Sequence, residues 1–310
     1  VTKATIYSGS IGLNNKVLPH RLPFDGKGVS ALETATDFVI GRNGEAVTRR
    51  GISLAESGAF HSMYQWSGGF YVVKDRNEDS ALYFVRVSDS GDLSLSGVRS
   101  GLSQGAKIDY APLGDKLFYS NGYERGYLTV SDGSEAWPTN TARETTREMV
   151  SLPVPKHLDL LSGRMVVSSG DEIFYSEYGK PGIYDAVKSR RHFETDVIMV
   201  YAVSTGVFVS QTDSVWFVSG VDPSPSTLTA RKVLEYPAVE YCRVPGTVNP
   251  MDYGFDSSLP AALFGTIRGP VVGFQDGTCI NLIDNNVTMP DCGTHDGAIM
   301  VVDDSLILQT

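Results

Sequence analysis

The stretch Leu161–Tyr184, LSGRMVVSSGDEIFYSEYGKPGIY, decides the fold. Arg164 to Val167 and Glu172 to Ser176 are two runs of strand length, filled by β-branched and aromatic residues. Between them Ser168, Ser169, Gly170 and Asp171 supply the positive φ that a tight turn needs. The pattern predicts an antiparallel hairpin. Gly179, Pro181 and Gly182 follow within a few residues, so the chain must leave the sheet there and re-enter elsewhere. A hairpin followed by an exit loop is half of a propeller blade.

The same unit recurs on both sides. His61–Trp66 turns into Phe70–Val73, and Ala81–Val87 turns at Asp89–Asp92 into Leu93–Val98, which predicts one four-stranded meander. Ile108–Ala111, Leu117–Ser120 and Tyr127–Val130 start a second, and the opening stretch gives a third. Val197–Val203, Val207–Gln211, Val215–Val218 and Thr227–Leu234 make a fourth, and Leu263–Ile267, Val271–Phe274 and Cys279–Leu282 a fifth. Ala298–Val302 and Ser305–Leu308 form one more hairpin. Units recur at roughly 45-residue spacing, the period of propeller blades. The polar segment Thr139–Met149 predicts a single helical excursion.

Residues 1–59 read as an N-terminal arm and hairpin that completes the propeller of residues 60–310. The arm holds a short strand at Ala4–Tyr7, a brief helix or turn over Leu32–Asp37, and a hairpin whose Asn43-Gly44 turn joins Phe38–Ile40 to Ala46–Val47. The expected fold is therefore all-β, a β-propeller of about six four-stranded blades with an N-terminal arm, with a two-sheet sandwich as the alternative.

Composition agrees. The 310 residues include 32 glycines and 15 prolines, which suits many short strands, and no amphipathic helical pattern persists that could supply α/β crossovers. No apolar run approaches the ~20 residues of a membrane span, and no signal-peptide pattern opens the chain. Twenty-six basic against 36 acidic residues give a net charge of -10, which argues against a dedicated nucleic-acid binder, because phosphate contacts need cations. Cys242, Cys279 and Cys292 are a sparse, odd set, unlike a disulfide framework, and predict synthesis in a reducing cytoplasm.

Several segments act as a set. Gly12-Leu13-Asn14-Asn15, Leu32–Asp37, Arg42-Asn43-Gly44, Arg49-Arg50-Gly51 and Phe60-His61-Ser62 resemble the opening of propeller proteins from bacteriophage tails. So do Leu113–Gly122 and Gly163–Tyr184 with its Phe174-Tyr175-Ser176-Glu177. The resemblance is to the tail nozzle, tail hub or stabilisation protein of short-tailed phages, and it spans most of the chain in order. It implies a non-enzymatic virion protein, made in the host cytoplasm and assembled as a homo-oligomeric ring of about six copies. Its implied partners are other copies of itself, neighbouring tail or portal-adaptor proteins, and DNA that passes without specific binding. A peripheral tail-tip protein that binds host surface glycan is the alternative.

Each chemical motif has a plainer explanation beside it. Gly101-Leu102-Ser103-Gln104-Gly105 matches the G-x-S-x-G nucleophile pattern, but that chemistry needs a following helix and Ala106–Tyr110 reads as a strand, so a link between blades is expected. Cys292 and His295, with Cys242 and Cys279, could form a zinc tetrad; no CxxC pair supports it, and buried thiols are expected. Asp89 and Asp92, and the run Asp75-Arg76-Asn77-Glu78-Asp79, suggest calcium loops but fall where hairpin turns belong. Lys188-Ser189-Arg190-Arg191-His192 is the most basic string and is expected as a solvated loop. Tyr64, Trp66, Trp137 and Trp216 could bind glycan if exposed, and core packing is the expectation. No residue is assigned as catalytic, cofactor-binding or metal-binding.

Overall fold

The computed structural model describes residues 56–130, 133–138, 147–223, 228–283, 287 and 297–299 in full. It adds the strand backbone of 10–13, 30–32, 38–40, 46–48, 300–302 and 305–309. Strands β1 (Ser10–Leu13) and β2 (Ser30–Leu32) pair in parallel, and β3 (Phe38–Ile40) and β4 (Ala46–Thr48) form the expected antiparallel hairpin. Leu32 thus ends a strand; Ala4–Tyr7 and residues 33–37 lie outside the described residues.

Five four-stranded antiparallel meanders follow. Blade one is β5 (Phe60–Trp66), β6 (Gly69–Asp75), β7 (Ser80–Val87) and β8 (Leu93–Leu102). Blade two is β9 (Asp109–Leu113), β10 (Lys116–Ser120), β11 (Arg125–Thr129) and β12 (Ser134–Glu135). After β13 (Met149–Ser151), blade three comprises β14 (His157–Leu161), β15 (Arg164–Ser169) and β16 (Glu172–Tyr175). The chain then leaves through β17 (Ile183–Asp185), which pairs with β13, and returns as β18 (Arg190–His192) on the outer edge of β16. Blade four is β19 (Val197–Val203), β20 (Gly206–Gln211), β21 (Val215–Ser219) and β22 (Thr229–Leu234). Blade five is β23 (Ala238–Arg243), β24 (Ala262–Thr266), β25 (Gly269–Gly273) and β26 (Cys279–Asn281).

The hairpin β27 (Ala298–Val302) and β28 (Ser305–Gln309) holds the sixth position, with β27 against β23. Among the described residues the expected count of about six four-stranded blades therefore becomes five, because there the sixth unit pairs as two strands only. Two further expectations change. Met149, read as the end of a helical excursion, begins a strand, while residues 139–146 lie outside the described residues. Of the basic string at 188–192, read as a loop, Lys188 and Ser189 do lie in a turn, but Arg190–His192 supply the fourth strand of blade three, pairing with the edge Glu172–Phe174.

First strands touch in sequence, β9 with β14, β14 with β19, β19 with β23, so they surround the axis and each blade runs outward. An inner strand is covered by a neighbouring blade on each side, which explains why β19 and β20 are buried at every residue and read as continuous apolar runs rather than alternating ones. Between blades one and two lie Tyr71, Phe84, Tyr110 and Tyr119; between two and three, Phe118, Trp137 and Phe174; between four and five, Tyr201, Phe208, Phe217 and Phe264. Each such side chain contributes about 2 kcal/mol of burial. Gly273 lets blade five approach the Phe208 ring, since a Cβ there would sit 2.7 Å from Phe208 Cζ.

This topology defines two faces. Connections between first and second, and between third and fourth, strands lie on one, here the loop face. The turns between second and third strands, and the links from blade to blade, lie on the other, the link face.

Candidate functional site

The axis is where side chains from all five blades converge. Arg243, on β23, reaches across the centre. Its Nη1 donates to Asp159 Oδ2 of β14 at 3.0 Å, and its Nη2 to Asp109 Oδ1 of β9 at 2.8 Å and to the Leu158 carbonyl at 2.8 Å. The guanidinium lies over the Tyr201 ring of β19, 5.3 Å from its centroid, and Tyr64 of β5 feels the fields of Arg243, Asp159 and Asp109. Asp159 also accepts from Ala202 N, and Asp109 from Leu158 N. One arginine thus ties the inner strands together and closes the centre.

Burial dominates the electrostatics here. It opposes the charge on Arg243, but Asp109 and Asp159 more than reverse this and hold its pKa above the ordinary value. It raises the Asp159 carboxyl, which Arg243 and two backbone N–H groups only partly offset, and it pushes Tyr64 up to about 12. Both terminal nitrogens of Arg243 are committed, so the cluster acts as a brace.

A second layer sits toward the link face. His157 Nε2 is 3.1 Å from Glu240 Oε1, which also receives Lys156 Nζ at 2.6 Å, and the His157 ring faces Tyr241 at 4.8 Å. Tyr241 has a φ of 60°, a strained value for an aromatic residue, set by the bulge in β23. The two ring nitrogens of His157 face the Asp109 and Glu240 carboxylates, and its backbone N–H donates to Ser168 Oγ at 3.2 Å.

Blade one contains a Ser, His and Asp in contact. His61 Nδ1 is 2.8 Å from Ser62 Oγ and its Nε2 3.2 Å from Asp75 Oδ1. Ser62 Oγ, however, accepts from Ile108 N at 2.8 Å, and Asp75 Oδ1 accepts from Ser80 Oγ and Gly105 N. These bonds fasten blade one to the link that enters blade two. Sequence reading noticed Asp75 as a turn residue and missed this role; a carboxylate at the end of one strand, five residues before a serine that opens the next, was its available signal.

Ser103 lies in the link after β8, where no helix follows, and its N–H and Oγ donate to Glu124. Arg76 and Asp79 pair across their own turn, and Asp92 accepts from Ser90 in the tip of the β7–β8 hairpin. Cys242 is buried, and burial pushes the Cys279 thiol up to about 12; Cys292 and His295 lie outside the described residues. Trp137 is buried and donates Nε1 to the Pro181 carbonyl, while Tyr64, Trp66 and Trp216 pack half-buried against interblade cores.

The surface is asymmetric. Of eleven exposed large apolar side chains among the described residues, eight stand at or beside loop-face connections: Val87 and Leu93 in blade one, Val130 in two, Tyr178 and Val187 in three, Val221 in four, and Met251 and Leu259 in five. Every blade contributes, so they form a broken apolar circle, the type of feature that marks a protein contact surface. Carboxylates stand on both faces: Glu78, Asp79, Glu124, Asp171, Glu194, Asp213 and Asp276 on the link face, and Asp89, Asp92, Asp115, Asp222, Asp252 and Asp256 on the loop face.

No family model and no curated protein matches this chain. Similar solved structures include the extracellular domain of BT4673 from B. thetaiotaomicron, at 10% identity and a TM-score of 0.46 over 89% of this chain and 33% of that one. The WD40 domain of Toxoplasma gondii coronin follows at 10% identity and 0.38, over 77% and 60%, and the WD40 β-propeller domain of Doa1 at 11% and 0.37, over 78% and 88%. The chain spans about a third of the length of the first.

Proposed function

We propose that this protein is a non-enzymatic structural component of a bacteriophage virion, a subunit of the tail nozzle ring on the route of the DNA. The observation that carries the reading is the circle of exposed apolar side chains on one face of a braced disc: Val87, Val130, Tyr178, Val221 and Met251 bring one contact from each blade. The turn motifs Arg42-Asn43-Gly44, Leu113–Gly122 and Gly163–Tyr184 support the finer assignment by their resemblance to tail propellers.

With Arg243 filling the centre of the disc, DNA in such an assembly travels through the opening between subunits and not through the propeller itself. A net charge of -10 suits that wall, because a basic lumen would bind phosphate and slow its passage. Mass spectrometry of particles purified from the source of the chain tests the reading. Recovery in stoichiometric amount with the other tail proteins is expected; absence from the particle ends it.

A further inference from the structure

Blade one differs from the others at its outer edge. Its fourth strand, β8, is ten residues long, whereas β12 has two residues and β18 and β26 three each. A free strand edge offers a row of unpaired N–H and C=O groups, and proteins usually guard it by shortness or by charge. The three short edges are guarded by length, β18 also by Arg190 and Arg191, and the six-residue β22 by Arg231 and Lys232. Leu93-Ser94-Leu95-Ser96-Gly97-Val98 has no charge and no proline. Among the described residues its ladder partner is β7 alone, with Leu93 opposite Val87, Ser94 opposite Arg86, Leu95 opposite Val85 and Ser96 opposite Phe84. Val87 and Leu93, both exposed, cap the same hairpin.

We propose that the edge of β8 pairs antiparallel with the β8 edge of a second copy of this chain, joining two blades into one continuous eight-stranded sheet. The segment is self-complementary. With the twofold axis on Leu95, that residue meets Leu95 of the second copy, Ser94 meets Ser96, and Leu93 meets Gly97. Every pair is uncharged, so two molecules of net charge -10 come together without opposing like charges. Exposed Ser94 and Ser96 can bond across the pair, and the apolar tips of both hairpins gain cover.

Sedimentation of the purified full chain over a dilution series tests this without any recourse to the virion reading. The wild type is expected to reach twice the monomer mass and to dissociate on dilution. S94K/S96K and S94E/S96E, each setting like charges opposite one another, are expected to lose that doubling, and an equimolar mixture of the two to regain it. In a chain that also closes into a ring, the variants halve the assembly mass and the mixture restores it. Both serines are exposed, so circular dichroism should find the variants folded. Should either fail to fold, amide exchange of the wild type decides: residues 93–98 are slowed at high concentration and not at low. A wild type whose mass never doubles, a doubling that survives in both variants, or amides equally fast at all concentrations would each overturn the proposal, the second in favour of another contact surface.

Discussion

At the residue scale the axis depends on one cation. Arg243 compensates two carboxylates that burial would otherwise penalise, so Arg243→Met should cost about 3–5 kcal/mol, the range for stranding a buried charge. Urea unfolding measures it, and a loss below about 1 kcal/mol, typical of surface pairs, would contradict the brace. Asp185 sets a pH dependence. Burial pushes its carboxyl up, but the Val187 N–H, the Arg147 guanidinium and the Lys188 N–H together hold it below the ordinary value. The folded state therefore binds the proton less readily than the unfolded chain. Its contribution is full above the unfolded aspartate value of about 4 and is lost as pH falls through the folded value. Acid titration of stability should accordingly be shallower for Asp185→Asn than for the wild type; parallel curves would refute the assignment. Neither role was legible in the sequence. Arg243 sits in AVEYCR, where Glu240 and Arg243 interrupt the apolar pattern, so the innermost strand of blade five escaped notice for the very reason that makes it central.

At the element scale the hairpins were the legible part, since β-branched runs bounded by Gly turns mark β15–β16 and β19–β20–β21 almost residue by residue, whereas β14, the inner strand before the first of them, was not read. What holds one blade to the next was not legible, because it runs through buried serines that look like ordinary strand ends. Ser120 Oγ donates to the Pro155 carbonyl in the link to blade three, and Ser210 Oγ accepts from Ala238 N at the start of blade five. Ser210→Ala leaves the Ala238 N–H buried and unpaired, and should cost about 1–3 kcal/mol. Amide exchange at Ala238 reports it locally, where faster exchange is expected; unchanged exchange would mean that the staple is idle. The string at 188–192 misled for the opposite reason: its charges mimic a loop, whereas charge on an outer strand is what protects a sheet edge.

At the scale of the whole molecule, radial repetition was readable from the spacing of units, and among the described residues the count was off by the one unit that pairs as a bare hairpin. A complete sixth blade needs four strands, and β27–β28 with β3–β4 would provide them. Deleting residues 1–55 should then lower the melting temperature, and an unchanged melt would detach the arm from the propeller. Assembly was never written in any one residue, because a contact face emerges only when loops distant in sequence meet on one side of the disc. The most direct measurement of the proposed role is a cryo-EM map of the tail of particles from the source of this chain. It should reveal a ring of these propellers on the tail axis, with carboxylates lining the lumen. A lone copy off the axis, or a lumen lined mainly by Lys and Arg, would contradict it.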